Sequence, residues 1–290
     1  MISFDAVSKR YPTRGGSRKA AQNSPPADRP AVDDVSLDIP RGAITVLAGS
    51  SGSGKTTLLR MVNRMVEPTS GRVVVDGDDV AGVDPVRLRR RIGYVMQNSG
   101  LLPHRTVAQN ISVVPQLNGV SRAEQRETVT EMMELVELDP VLASRYPSEL
   151  SGGQAQRVGV ARGLAGRPEI LLMDEPFGAV DPLVRSGLQT QLRSLQSRLG
   201  TTVVFVTHDM DEALRLGDHI VLLGASAQIE QQGTAEEFVT APANDFVRGF
   251  LGLQGGGREL FTRTGADGSV VVVDAHGRPA GVLAEHPETS

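Results

Sequence analysis

Apolar and polar positions along this 290-residue chain follow two periods. Residues 1–11 and 31–48 alternate in a way that predicts strands; within 31–39 (AVDDVSLDI) the alternation gathers Val35, Leu37 and Ile39 on one face. The run 44–48 (ITVLA) reads as a short buried strand, and 57–62 (TLLRMV) as the start of a helix. Residues 71–77 (GRVVVDG) read as a strand ending in a turn, and 91–97 (RIGYVMQ) as a strand with a polar residue at its end. Residues 105–146 are mostly helical in pattern. Within them, 123–138 carries Val129, Met132, Met133, Leu135 and Val136 at helical spacing, a packing stripe. Three further strands are expected: 170–173 (ILLM) before Asp174-Glu175, 202–207 (TVVFVT) before His208, and 219–223 (HIVLL).

Strands alternating with helices imply an α/β domain with a parallel sheet. Ligands of such sheets bind beyond the carboxyl ends of the strands. Gln97, Asp174, Glu175 and His208 all stand at such ends, and so does the glycine-rich loop that follows residue 48. Between the first two strand patterns, residues 12–30 are rich in Gly, Ser, Pro and charge, and are expected to form a mobile loop.

Composition narrows the function classes. Hydrophobic residues make up 39%, enough for a real core, whereas aromatics are 3% with no Trp, which disfavours stacking platforms for nucleic acid. A formal net charge of −4 argues against binding by phosphate neutralisation and against a polybasic membrane anchor. Without cysteine there are no disulfides, thiolate metal sites or cysteine nucleophile. The opening MISFD lacks a leader pattern and no apolar run approaches the roughly 20 residues of a membrane span, so the chain is expected to be soluble and intracellular, with any membrane role exercised through a partner.

The loop at the sheet edge is Gly49-Ser50-Ser51-Gly52-Ser53-Gly54-Lys55-Thr56, which fits G-x-x-x-x-G-K-[ST], the phosphate-binding P-loop, in its required strand–loop–helix context. Its glycines allow several N–H groups to converge on one anion, and the helix start adds partial positive charge. Lys55 can reach the β- and γ-phosphates and the Thr56 hydroxyl can ligate Mg²⁺; Thr57 is counted with the binding residues. Asp174, after four apolar residues, can hold Mg²⁺ opposite Thr56, and Glu175 can polarise a water; the alternative for Glu175 is a structural carboxylate capping the next turn. In Leu150-Ser151-Gly152-Gly153-Gln154, Ser151 is a good helix N-cap and Gly152 and Gly153 expose backbone N–H groups, a second anion site. One nucleotide has one γ-phosphate, so a second site is explained by a two-fold dimer in which the P-loop of one copy faces the serine–glycine segment of the other.

Gly49 to Thr56, Gln97, Leu150 to Gln154, Asp174-Glu175 and His208, in this order, resemble the ATP-binding subunit of ABC transporters, over about residues 1–240. The resemblance implies a P-loop NTPase fold: a RecA-like parallel-sheet core, an antiparallel β subdomain, and a helical signature subdomain at about 98–160. It also implies roles. Gln97 touches Mg²⁺ or the lytic water and senses the membrane partner. Ser151 to Gln154 contact the γ-phosphate in trans, Glu175 is the general base and His208 contacts the γ-phosphate. Gly178-Ala179-Val180-Asp181 is similar to the D-loop, with Val180 where Leu is more usual. Tyr11 is the residue expected to stack on adenine, although the stretch after it is longer than the family pattern; its alternative is a partly buried strand-end tyrosine. ATP and Mg²⁺ are the implied ligands, and a homodimer with ATP at its interface, integral-membrane permease subunits and, indirectly, a substrate-binding protein are the implied partners, at the cytoplasmic face of the cell membrane. No nucleic acid is expected.

With no span, no long heptad segment and one nucleotide domain, the importer ATPases are the best-fitting branch. Segments 61–71 (MVNRMVEPTSG), 92–97 with 100–104 (IGYVMQ, GLLPH) and 173–179 (MDEPFGA) are similar to the osmoprotectant class, whose substrates are glycine betaine, choline, carnitine or proline betaine. The alternatives are an importer ATPase for amino acids or another small solute, and a non-transport ABC regulator. His104 is expected on the surface that meets the membrane subunit; His219, His276 and His286 have no ligand spacing, and no metal beyond Mg²⁺ is assigned. Residues 241–290 form a short C-terminal extension, in which 269–283 is similar to one strand–turn–strand piece of a CBS module.

Overall fold

The computed structural model describes residues 1–12, 30–178, 180–253, 260–264, 270–274 and 276–282. Most of the loop expected at 12–30, and Ala179, lie outside the described residues. The chain divides into two compact units, Met1–Ala235 and Glu236–Ser290.

The first unit opens with strands β1 (Ile2–Lys9), β2 (Val32–Ile39) and β3 (Ile44–Gly49). Helix α1 (Lys55–Val62), strands β4 (Ser70–Val75) and β5 (Asp78–Asp79), and helix α2 (Pro85–Arg91) follow. Strand β6 (Ile92–Val95) leads into helices α3 (Val107–Ile111), α4 (Val113–Leu117), α5 (Arg122–Leu135) and α6 (Gly152–Leu164). The unit continues through β7 (Ile170–Asp174), α7 (Pro182–Leu199), β8 (Thr202–Thr207), α8 (Met210–Leu216), β9 (His219–Leu223) and β10 (Ile229–Gly233).

These strands form two sheets. An antiparallel sheet runs β2-β1-β4-β5, and a six-stranded sheet runs β10-β9-β3-β8-β7-β6. In the second sheet every pair is parallel except β9 with the edge strand β10. The patterning explains the difference. Every residue of β3, β7 and β8 is buried, as in parallel strands covered on both faces. Strand β2 instead buries Val35, Leu37 and Ile39 and exposes the residues between them. Val32 also points inward, three residues before Val35, because the register shifts there and Asp34 takes φ 50°.

The register sets the functional edge. Ala48 pairs with Thr207, Asp174 with Val206 and Val95 with Met173. Since β6, β7, β8 and β3 all run the same way, the residues that follow them emerge side by side. The helical segment begins with a capping box in which Thr106 and Gln109 exchange bonds, and α5 begins with another between Ser121 and Glu124. Val129, Met132, Met133 and Val136 are buried as expected, and Leu135 is half-buried.

Helices α9 (Ala235–Thr240) and α10 (Asp245–Phe250) precede a three-stranded antiparallel sheet, β11-β12-β13, made of Leu260–Thr264, Val270–Asp274 and Pro279–Val282. The last two strands are the expected strand–turn–strand. Their turn is tied by the Asp274 carboxylate, which accepts from the amides of His276 and Arg278, both at 2.9 Å. Strand β11 was not legible in the pattern.

Candidate nucleotide site

Strand β3 delivers the P-loop and α1 receives it. Gly54 is the helix N-cap at φ 103°, a conformation that favours glycine, and a Cβ there would run against Ala31 O at 2.5 Å. The Lys55 ammonium is buried, and donates to the carbonyls of Gly49 at 2.8 Å and Ser50 at 2.7 Å and to the Ser53 hydroxyl at 3.3 Å. Burial lowers its pKa, while the negative charges of Glu175 and Asp174 act the other way.

From the second residue of α1, the Thr56 hydroxyl donates to Asp174 Oδ1 at 2.8 Å. Asp174 is fully buried at the end of β7 and its Oδ2 makes no hydrogen bond; Arg60 Nη2 lies 3.5 Å from it. Burial pushes the Asp174 carboxyl above its ordinary range. Glu175 stands at φ 47°, its carboxylate accepting from Gln97 Nε2 at 3.1 Å and lying 3.3 Å from His208 Nδ1. A cleft of about 420 Å³ opens here, lined by Ala31, Ser51, Gly52, Gly54, Lys55, Thr56, Thr57, Gln97 and Glu175.

The structure thus brings together the P-loop, Gln97, Asp174, Glu175 and His208. The expected participants Ser151 to Gln154, Asp181 and Tyr11 are not among the residues that line the cleft. Ser151 caps α6 by accepting from the Gln154 amide at 3.3 Å, while the Gln154 side chain accepts from the Ser151 amide at 2.9 Å. Gly152 is exposed, and a side chain added there would meet nothing within 4 Å. Nothing among the described residues therefore requires glycine at this position. Asp181 is exposed at the start of α7, beside a buried Val180. Tyr11 is exposed with the Lys9 ammonium 5.3 Å from its ring centre. His104 and His276 are exposed, His219 is half-buried, and His286 lies outside the described residues.

Comparison with known proteins decides the family. A family model described as ABC transporter matches residues 32–178. The chain belongs to the ABC transporter family. It is 48% identical over 254 residues to the glycine betaine/carnitine/choline transport ATP-binding protein OpuCA of Bacillus subtilis, covering 88% of this chain and 63% of that protein. It is 47% identical over 268 residues to the glycine betaine uptake system ATP-binding protein YehX of Escherichia coli, covering 92% and 82%. The chain thus spans less than two thirds of the length of the first of these relatives. Among solved structures, the ATP-binding cassette MJ0796 in a dimeric post-hydrolysis state bound to ADP and Pi is similar, with a TM-score of 0.72 and 30% identity over 81% of this chain and 99% of that one.

Within this ABC ATP-binding domain, several residues around the site escaped the sequence reading. Arg60 donates to the Tyr94 hydroxyl at 3.2 Å as well as facing Asp174. Its position four residues after Thr56, on the same helix face, was an available signal. Arg162 on α6 is buried and donates to the carbonyls of Ser99 and Gly100, both at 2.7 Å, gripping the chain just after Gln97. Glu212 on α8 accepts from the Thr207 hydroxyl at 2.6 Å and from Gln189 at 3.1 Å, bracing the residue before His208. Burial raises its pKa. Gln156 donates to the Glu175 carbonyl. Backbone carbonyls carry no sequence signature, so the bonds of Arg162 and Gln156 could not be read in advance.

Proposed function

We propose that this chain is the ATP-hydrolysing subunit of an importer for a quaternary-amine osmoprotectant, working as a homodimer beneath separate permease subunits at the cytoplasmic face of the membrane. The observation that carries the reading is the convergence of Lys55, Thr56–Asp174 and Gln97–Glu175–His208 on one cleft at the carboxyl edge of a parallel sheet. On this reading the cassette is residues 1–240, with its helical part at about 98–160, and 241–290 is an extension.

The residues fit their ligands. The buried Lys55 ammonium is held by carbonyls and a hydroxyl, with no acid hydrogen-bonded to it among the described residues, a geometry that phosphate oxygens can take over. Asp174 Oδ2 is buried without a hydrogen bond, which suits a divalent cation. Thr56, Asp174 and Gln97 would hold Mg²⁺, which when bound neutralises phosphate charge. Gly49, Ser50, Ser51, Gly52, Ser53, Gly54 and Thr57 would wrap the triphosphate with their amides and hydroxyls. Glu175 would orient the attacking water and take its proton, with Gln97 and His208 setting the direction of its carboxylate. Ser151, Gly152, Gly153 and Gln154 would close on the nucleotide of the second copy, which accounts for a glycine with open space beside it. Tyr11 would cover the adenine, and Asp181 would lie at the junction of the two copies.

The names of the relatives support the substrate: OpuCA for glycine betaine, carnitine and choline, and YehX for glycine betaine. Among the described residues no helix is long and apolar enough to cross a membrane, which suits a subunit that depends on separate permeases. The test is uptake of labelled glycine betaine, choline and proline at high osmolarity, in cells carrying the chain or Lys55→Ala. Collapse of one uptake in the variant supports importer and substrate together. Unchanged uptake of all three removes the osmoprotectant assignment and turns attention to amino acids and other small solutes.

A further inference from the structure

Gln156 lies on α6, five residues after the Ser151 cap, with its side chain buried. Its Nε2 donates to the main-chain carbonyl of Glu175 at 2.9 Å. Glu175 occupies the left-handed region at φ 47°, a conformation costly for a residue with a Cβ unless its surroundings hold it there. Three hydrogen bonds do so. The Glu175 amide donates to Val206 O at 3.0 Å, and its carbonyl accepts from the Gly178 amide at 3.3 Å and from Gln156. The first ties the residue to β8 and the second closes its own turn. Only the third reaches it from α6, the helix whose first turn carries Ser151, Gly152 and Gly153.

We propose that Gln156 is a positioning residue that sets the backbone of Glu175 within the same chain, from the helix whose first turn meets the nucleotide of the second copy. The proposal rests on the dimeric ATPase reading above and adds a route to it. A γ-phosphate seated on Ser151–Gly153 loads the first turn of α6. Gln156 sits just over one turn further along the same hydrogen-bonded helix and moves with it. The aim of the Glu175 carboxylate then depends on whether the other site is filled, so each site senses its neighbour through a single side chain.

The experiment uses pairs of full chains carrying two different tags, purified in two steps so that only mixed pairs remain. In the first pairing a Gln156→Met chain meets a Glu175→Gln partner, leaving one competent base, that of the Gln156→Met chain. In the second a wild-type chain meets a Gln156→Met/Glu175→Gln partner, so the competent base keeps its own Gln156 while the altered α6 completes its site. Turnover in the first is expected to fall about tenfold to a hundredfold below a wild-type/Glu175→Gln pair, the scale of a misplaced catalytic group, with KM for ATP unchanged. Turnover in the second is expected to match that reference pair.

Equal losses in both pairings mean a damaged helix and overturn the proposal; so does full turnover in the first. Gln156→Glu keeps the length and shape of the side chain and takes its place if Gln156→Met does not fold, with the same asymmetry expected. Pairs of Glu175→Gln chains held together by ATP are the control. Their absence removes the dimer reading itself, a result distinct from a symmetric or missing loss.

Discussion

The P-loop half of the site is packed into the chain, whereas the first turn of α6 stands outside it. Lys55 and Asp174 are buried, and the ammonium and one carboxylate oxygen are already bonded within the fold. Gly152 is exposed beside empty space. Both regions present groups suited to a phosphate, yet only the first is built around by its own chain. A buried cation needs acceptors at all times, because leaving it bare costs far more than any single contact returns. A solvated helix start can wait for its anion. The contrast is what a site shared between two copies requires: one half held in place, the other offered.

Several substitutions would break or sharpen that contrast. The largest effect is expected from Glu175→Gln, which removes the proposed base and leaves the rest of the buried half. Its ATPase rate should fall by about 10²–10³ while ATP still binds and pairs the chains, as measured by turnover and size-exclusion chromatography. Unchanged turnover would remove Glu175 from the mechanism. Gly152→Asp should cut turnover by about tenfold to a hundredfold, by putting a negative charge where a phosphate is expected, without lowering the Tm of the nucleotide-free chain. A fall in Tm would show that the glycine serves the fold after all.

Gly54→Ala should destabilise the chain by about 1–3 kcal/mol in urea unfolding, since its φ of 103° and the nearby Ala31 carbonyl reject a Cβ. The smallest effect is the most telling about the buried half. Asp174 has its pKa raised by burial, so the folded chain holds that proton more tightly than the unfolded chain does. Its contribution to stability is therefore greatest below the unfolded pKa and declines as the pH rises through the folded one. Asp174→Asn should abolish this slope and raise the nucleotide-free stability at neutral pH by about 1 kcal/mol, roughly 2–4 °C in Tm, while impairing ATP hydrolysis. A lower Tm would mean that Arg60 compensates the charge fully.

The expected strands before Lys55, Asp174 and His208 are present because continuous apolar runs leave a chain few options but burial on both faces. The methionines of α5 went where helical spacing sent them. The tail was only half legible. The Val270–Asp274 and Pro279–Val282 hairpin has a strong apolar run and a turn, whereas Leu260–Thr264 mixes apolar and polar residues, all of them exposed, and pairs along Val270–Asp274. Around Asp174, Arg60 and Tyr94 draw their importance from where the fold places them rather than from residue type.

The sequence by itself determined the local chemistry: a glycine loop with Lys55 and Thr56, carboxylates at a strand end, and a serine-capped helix with bare glycines. Such features are written in residue type at fixed short spacing, and loop and cap geometry follow from them. Only the tertiary structure decided which groups meet. Thr56 finds Asp174 across 118 residues, Gln97 finds Glu175 across 78, and Gln156 finds the Glu175 carbonyl across 19. Those meetings depend on strand order and register in the parallel sheet and on the packing of α6. Burial and hydrogen bonding over the whole unit set them, and no short stretch of sequence encodes them.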